Sequence, residues 1–203
     1  MHLSNYIIKD KKIVVATHNK GKVEEFRYLF SKYKINILTS EDLNVEDIQE
    51  TGKTFEENSI LKVKSISNDY LAVADDSGLC VKDLNQEPGI FSARYANSSG
   101  GWFKAMEKIY ERVKVKKKPT FSAKFVCSLS LKFQDEKIFT YSGEIKGRIT
   151  WPPRGKNGFG YDPFFIPEGQ VSTYGEVDYQ KKILTDHRSV AFAKLAKVHL
   201  KSN

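Results

Sequence analysis

FSAKFVCSLSLKF, residues 121–133, alternates between two faces. Phe121, Ala123, Phe125, Cys127, Leu129, Leu131 and Phe133 fall on one side, and Ser122, Lys124, Ser128, Ser130 and Lys132 on the other. A period of two marks a half-buried β-strand. Gln134-Asp135-Glu136 turns the chain, and 137–144 returns as the second arm of a hairpin. Upstream, IVVA (13–16) is a short β-branched run that reads as a buried strand, followed by the polar turn THNKGK (17–22). A helix comes next, with Val23, Phe26, Phe30 and Tyr33 on its apolar side and Glu24, Glu25 and Arg27 between them. A second helix is expected over about 54–68, where Thr54 and Glu57 have capping-box spacing and Ile60, Val63 and Ile66 share a face. LAVAD (71–75) is an apolar strand ending in carboxylates; a turn at Ser77-Gly78 would send 79–84 back as another strand. Residues 102–115 read as a helix carrying Trp102, Met106, Ile109 and Val113 on one side. A long Gly/Pro-rich loop covers 151–163, and a last helix about 187–200 carries Val190, Ala193 and Leu200 on one stripe. Strands and helices in this order predict an α/β protein with a mixed sheet, of which the hairpin is an extended part.

The 203 residues are enough to bury a full core, and 40% hydrophobic with 29% charged residues is ordinary globular composition. Cys80 and Cys127 are too few for a disulfide framework or a metal-binding cluster, and they suit a reducing cytoplasm. No apolar run reaches the roughly 20 residues that span a bilayer, and MHLSNYIIKDKK has no signal-like apolar stretch. The formal charge of +8 suits a polyanion or a phosphate ester, but it also fits a solvated basic surface. Lys114 and Lys116 to Lys118, before Pro119, read as a solvated helix end or loop.

Four places carry candidate chemistry. Thr17-His18-Asn19-Lys20-Gly21-Lys22 joins a strand to a helix N-terminus, where backbone N–H groups favour an anion. It is not a P-loop, because Ala16 stands where the first glycine is required. A helix cap with surface lysines also fits. Asp75-Asp76-Ser77-Gly78 offers paired carboxylates of the kind that hold Mg²⁺ and bridge it to phosphate, or a plain Asp-Asp-Ser-Gly turn. GKNGFGYD (155–162) has three glycines in six residues and two aromatic faces for a base, or is a plain Gly-rich turn. Lys182 with His187-Arg188 gives a fork of donors, or an ordinary surface pair at a helix start. Together they make a kit for binding and hydrolysing a Mg-nucleoside triphosphate.

VATHNKGKVEEF, ETGKTFEENSILK, ADDSGLCVKDLNQEPGIFSARYA, PPRGKNGFGYDPFF and DHRSVAFAKL, in this order, resemble the inosine triphosphate pyrophosphatase family, also called dITP/XTP pyrophosphatases. The resemblance runs from about Ile13 to Ala196. It implies a single domain over 1–203 with an N-terminal extension of about 12 residues. It also implies an elongated two-lobed α/β fold, a mixed sheet flanked by helices and an active-site cleft between the lobes. The implied partners are small nucleoside triphosphates and a second copy in a homodimer, with neither nucleic acid nor membrane. The implied reaction is Mg²⁺-dependent hydrolysis of ITP, dITP or XTP to the monophosphate and diphosphate, in the cytoplasm, which clears deaminated purines from the nucleotide pool.

By the same resemblance, Thr17, His18, Asn19, Lys20, Gly21 and Lys22 match the triphosphate-binding turn, and Asp76 matches the metal-binding proton acceptor. Ser77, Lys182, His187 and Arg188 match substrate contacts; Phe159, Gly160, Tyr161 and Asp162 match the base-binding loop. Asp75, Lys62 and Arg94 lie inside matching motifs. Three departures stand out. Gln49 occupies the position of a metal-binding acid, leaving Gln49 or the following Glu50 as the second ligand; NSSGG is shorter than the family's acidic segment; and Asp186 replaces a serine. Two other readings use the same residues: a basic nucleic-acid-binding module, and a pyrophosphatase for other modified nucleotides.

Overall fold

The structure is a computed structural model that describes residues 6–9 and 11–200. In chain order its elements are β1 (Lys12–Val15), α1 (Lys20–Ser31), β2 (Asn36–Thr39), α2 (Phe55–Lys64), β3 (Ala72–Val81), α3 (Ser92–Ser99), α4 (Trp102–Lys114), β4 (Ser122–Lys132), β5 (Ile138–Ile149), β6 (Phe165–Pro167), α5 (Tyr179–Thr185) and α6 (His187–His199). The strands lie in the order β2-β1-β3-β4-β5-β6. β1 pairs in parallel with β2 and β3, and β5 pairs antiparallel with β6, so the sheet is mixed as expected. No helix among the described residues is long and apolar enough to cross a membrane.

The chain divides into two compact units. The first comprises residues 1–76, 127–143 and 188–203; the second comprises 77–126 and 144–187. In the first unit, Ile13 and Val15 of β1 share a core with Phe26, Leu29 and Phe30 of α1 and with Phe192 and Leu195 of α6. Val14, Ala72 and Ala74 instead meet Val63 of α2 and Ile66 just beyond it. Both faces of β1 are therefore covered, which is why IVVA shows no polar alternation. Of the expected N-terminal extension, residues 1–5 and 10 lie outside the described residues. Ile8 is part of the core, and its N–H donates to the His199 carbonyl at 2.8 Å. In the second unit, Ala105, Met106, Ile109 and Val113 of α4 pack with Leu79, Val81, Phe125 and Phe165 of the strands.

Several local expectations change. Residues 20–22 are the first turn of α1, not part of the turn before it, because Asn19 caps the helix by accepting from the Lys22 N–H at 3.2 Å. Thr54 does cap α2, accepting from Glu57 N–H, but the helix stops at Lys64. There is no turn at Ser77-Gly78: β3 runs unbroken from Ala72 to Val81, and Asp75 and Asp76 sit in its middle. The glycine serves packing instead, since a Cβ at Gly78 would lie 2.2 Å from the Gly89 carbonyl oxygen and 2.5 Å from Ser92 Oγ. Gly78→Ala should cost about 1–3 kcal/mol of stability, or roughly 2–4 °C of Tm per kcal/mol in a chain of this size. An unchanged Tm would show that the strand yields freely there.

The half-buried reading of β4 fails for its later half. Ser128, Ser130 and Lys132 are as buried as Leu129 and Leu131. α2 covers their face: Ser59 Oγ lies 2.7 Å from Ser130 Oγ, and Lys132 Nζ donates to the Ile66 carbonyl and to Asn68 Oδ1. Small hydroxyls let a helix approach a polar strand face closely. The stripe on α6 is also rotated from expectation: Ala193 is exposed, and Ala191, Phe192, Leu195 and Ala196 are buried.

Candidate active site

Within the first unit, β3 presents two successive carboxylates to opposite faces. Asp75 is fully buried and faces α1 and α6. Arg188 holds its Oδ2 from Nη2 at 2.7 Å and Nε at 3.3 Å, and Lys22 Nζ lies 3.1 Å from the same oxygen. Arg188 also pairs with Glu25, which is fully buried on α1. Burial alone would raise the pKa of Asp75; Arg188, Lys22 and Lys62 outweigh it and hold the carboxyl well below the usual carboxylate range. Asp75 therefore braces two helices as an anion.

Asp76 faces α2. Asn58 Nδ2 donates to its Oδ2 at 3.0 Å, and Lys62 Nζ lies 3.6 Å from its Oδ1. Lys62 also pairs with Glu50 and donates to the Asp75 carbonyl at 3.1 Å. Burial and the neighbouring Glu50 push the Asp76 pKa up, against Lys62, Lys22 and Asn58. The same carboxylates keep Lys62 charged: burial pulls its pKa down, but Asp76, Asp75 and Glu50 raise it above the usual lysine value. A basic carboxylate beside a second carboxylate and an ammonium can take a proton or bind a hard cation.

The residues fit a Mg²⁺ ion to that extent. Asp76 and Glu50 supply two hard carboxylates on one lysine, and Mg²⁺ commonly takes one or two carboxylates plus phosphate. No group of three or more His, Cys, Asp or Glu forms a complete cage among the described residues. Glu50 is half-buried in this cluster, whereas Gln49 is exposed.

The turn before α1 is arranged around its cap. Thr17 Oγ1 accepts from Asn19 N–H at 3.2 Å. His18 donates from Nε2 to the Val45 carbonyl at 2.9 Å, with Nδ1 3.4 Å from Asp47. Lys20 is exposed, and Gly21 is in the first helical turn, where N–H groups have no intrahelical acceptor.

The second unit holds the remaining candidates. Phe159 N–H donates to Asp162 Oδ2 at 2.9 Å, and Lys182 Nζ stands 3.4 Å from the same oxygen. Lys182 is buried, pairs with Asp186 at 3.0 Å and lies 5.0 Å from the Phe159 ring centroid. The loop needs its glycines. At Gly158, with φ of +73°, a Cβ would sit 2.1 Å from Asp162 Oδ2. Tyr161 is buried and donates to the Ser92 carbonyl at 3.3 Å. Ser77 is half-buried in β3. Arg94 Nη2 donates to the Ile90 carbonyl and its guanidinium lies over Phe91. His187 stacks on Phe125 at 4.8 Å with 13° between planes, so the His187-Arg188 pair is divided: one ring packs in the second unit, and one guanidinium in the first.

Sequence reading passed over Glu25 and Asn58. Glu25 looked like a surface charge, although it sits three residues after Lys22 and four before Leu29, on the buried stripe of α1. Asn58 looked like one polar residue among several. It couples the Gly52 N–H, accepted by Oδ1 at 2.8 Å, to Asp76. The only signal for Asn58 was a poor helix former inside a helix.

A sequence model described as the Ham1 family matches residues 13–198. The chain is 37% identical over 187 residues to a dITP/XTP pyrophosphatase of Zymomonas mobilis, covering 91% of this chain and 90% of that one. It is 40% identical over 190 residues to a dITP/XTP pyrophosphatase of Listeria innocua, covering 92% and 93%. Among solved structures, a HAM1 protein from Coxiella burnetii superposes with a TM-score of 0.83 at 36% identity, over 92% of this chain and 97% of that one.

Proposed function

The chain belongs to the Ham1 family, and from that premise we propose that it hydrolyses non-standard purine nucleoside triphosphates to the monophosphate and diphosphate. The single observation that carries the chemistry is the Asp76 cluster. A buried carboxylate of raised pKa sits beside Lys62 and Glu50, and the Lys22-bearing turn belongs to the same unit. Asp76 takes the proton of the water that attacks the α-phosphorus. Lys22 and the first-turn amides of α1 hold the phosphates. The proposed cofactor is Mg²⁺, held by Asp76 with Glu50; when bound, it neutralises phosphate charge and stabilises the leaving diphosphate. Lys62 keeps both carboxylates in place.

Phe159, Gly160, Tyr161 and Asp162 receive the base, and Lys182 holds Phe159 and Asp162 in position. Donors in this loop favour a 6-keto purine, which accepts at that position, over adenine, whose amino group donates. The wider proposal includes a homodimer and a reducing compartment, in keeping with two free buried cysteines, Cys80 and Cys127. It includes no nucleic acid or membrane partner.

Diphosphate release measured with added inorganic pyrophosphatase across ITP, XTP, GTP and ATP tests the reading. ITP and XTP should give diphosphate and monophosphate, with ATP far slower. Release of the terminal phosphate alone, or inert ITP and XTP, would overturn it. For the metal, Glu50→Gln should raise the Mg²⁺ concentration needed for half-maximal rate about tenfold, whereas Gln49→Glu should leave it nearly unchanged. The reverse pattern would move the second ligand to position 49.

A further inference from the structure

The chain has two tryptophans, Trp102 and Trp151. Both belong to the second unit, in different settings. Trp151 stacks on Tyr110 at 5.5 Å and 20°. Trp102 opens α4, is 37% exposed and stands against the loop that carries Phe159 to Asp162. Its ring meets Tyr161 edge-on at 5.0 Å and 88°. Its six-membered ring also lies beside Gly160, where an added Cβ would be 3.6 Å from Cη2 and Cζ3. That spacing is ordinary van der Waals contact, so the indole flanks Gly160 at side-chain distance.

The loop is therefore held at two points by different forces. Asp162 and Lys182 hold one side by charge, with Asp162 also accepting from Phe159 N–H. Trp102 holds Tyr161 by edge-on aromatic contact, beside Gly160. Trp102 is four residues before Met106, so it extends the buried side of α4 by one turn toward the loop. A large aromatic left one-third exposed at that end adds little to the core and much to the loop.

We infer that Trp102 is a positioning residue for base recognition, setting where the Gly160-Tyr161 backbone meets the purine. This rests on reading 159–162 as the purine-binding loop. The consequence is specific: losing the indole should weaken nucleotide binding without disturbing the phosphate chemistry of the first unit.

Trp102→Ala should raise KM for ITP about tenfold, the usual scale of one lost aromatic contact, with kcat within about threefold of wild type. Trp102→Phe should recover most of the affinity. In Trp151→Phe, Trp102 is the sole tryptophan. Inosine monophosphate should change its emission, and inorganic diphosphate alone should not. If wild type hydrolyses ITP while Trp102→Ala keeps a normal KM, or loses kcat alone, the inference is overturned and the loop assignment stands. A silent Trp102 emission with bound inosine monophosphate also overturns it. Wild type that leaves ITP intact overturns the loop assignment itself. If Trp102→Ala does not fold, the Trp102→Phe kinetics and the emission titration decide.

Discussion

Asp76→Asn is expected to lower kcat for ITP hydrolysis by about 10²–10⁴-fold, the usual contribution of a positioned base, with little change in Tm. Asparagine keeps the shape of the side chain. Its amide oxygen still accepts from Asn58 Nδ2, the 3.0 Å contact that seats Asp76. Lys62 retains Glu50 and the Asp75 carbonyl, so its ammonium is not stranded. What disappears is a carboxylate that burial and Glu50 make more basic than usual, and with it one of the two oxygen donors proposed for Mg²⁺. Mg²⁺ titration of the variant separates the two losses. A rate restored by excess Mg²⁺ marks metal binding as the main role; a rate that stays low at saturating Mg²⁺ marks proton transfer. Turnover within tenfold of wild type at ordinary Mg²⁺ would remove Asp76 from the chemistry.

Arg188→Ala should have the largest effect on stability, about 3–5 kcal/mol, the scale for removing one partner of a buried ion pair. Asp75 and Glu25 are both fully buried, and each loses this guanidinium. At roughly 2–4 °C per kcal/mol, the Tm should fall by about 6–20 °C. Arg188→Lys should recover only part of it, because one ammonium cannot reproduce a fork that reaches two carboxylates. The pH dependence has a definite sign. The folded-state pKa of Asp75 is depressed, so its contribution is present above the unfolded value of about 4 and is lost as pH falls through the depressed value. The stability gap between wild type and Arg188→Ala should therefore narrow under acid conditions. A Tm shift below 2 °C at neutral pH would show that Arg188 does little for the fold.

The particular residues show where local pattern was enough. The alternation in 121–133 located β4 within a residue at either end, and Thr54 with Glu57 located the start of α2. Those signals depend on the chain's own repeat and on hydrogen bonds between near neighbours. The same reasoning put a turn at Ser77-Gly78, because glycine after serine suits a turn equally well. Only the nearby backbone of Gly89, which leaves no room for a side chain, gives the glycine its actual reason. The short α3, α5 and β6 were missed, since eight, seven and three residues hold too little periodicity to stand out.

Sequence by itself determined the α/β class, the mixed sheet, the family and the residue types from which the chemistry is drawn. Tertiary structure alone decided how those residues divide the work. Asp75 is 113 residues from Arg188, and Glu25 is 163 residues from it. No local rule links charges so far apart in the chain. Their pairing is set by packing α1 and α6 on the same sheet face, because a buried carboxylate is tolerable only where that packing delivers a cation to it. Asp76, one residue along the strand, points the other way, meets α2 and becomes the more basic carboxylate.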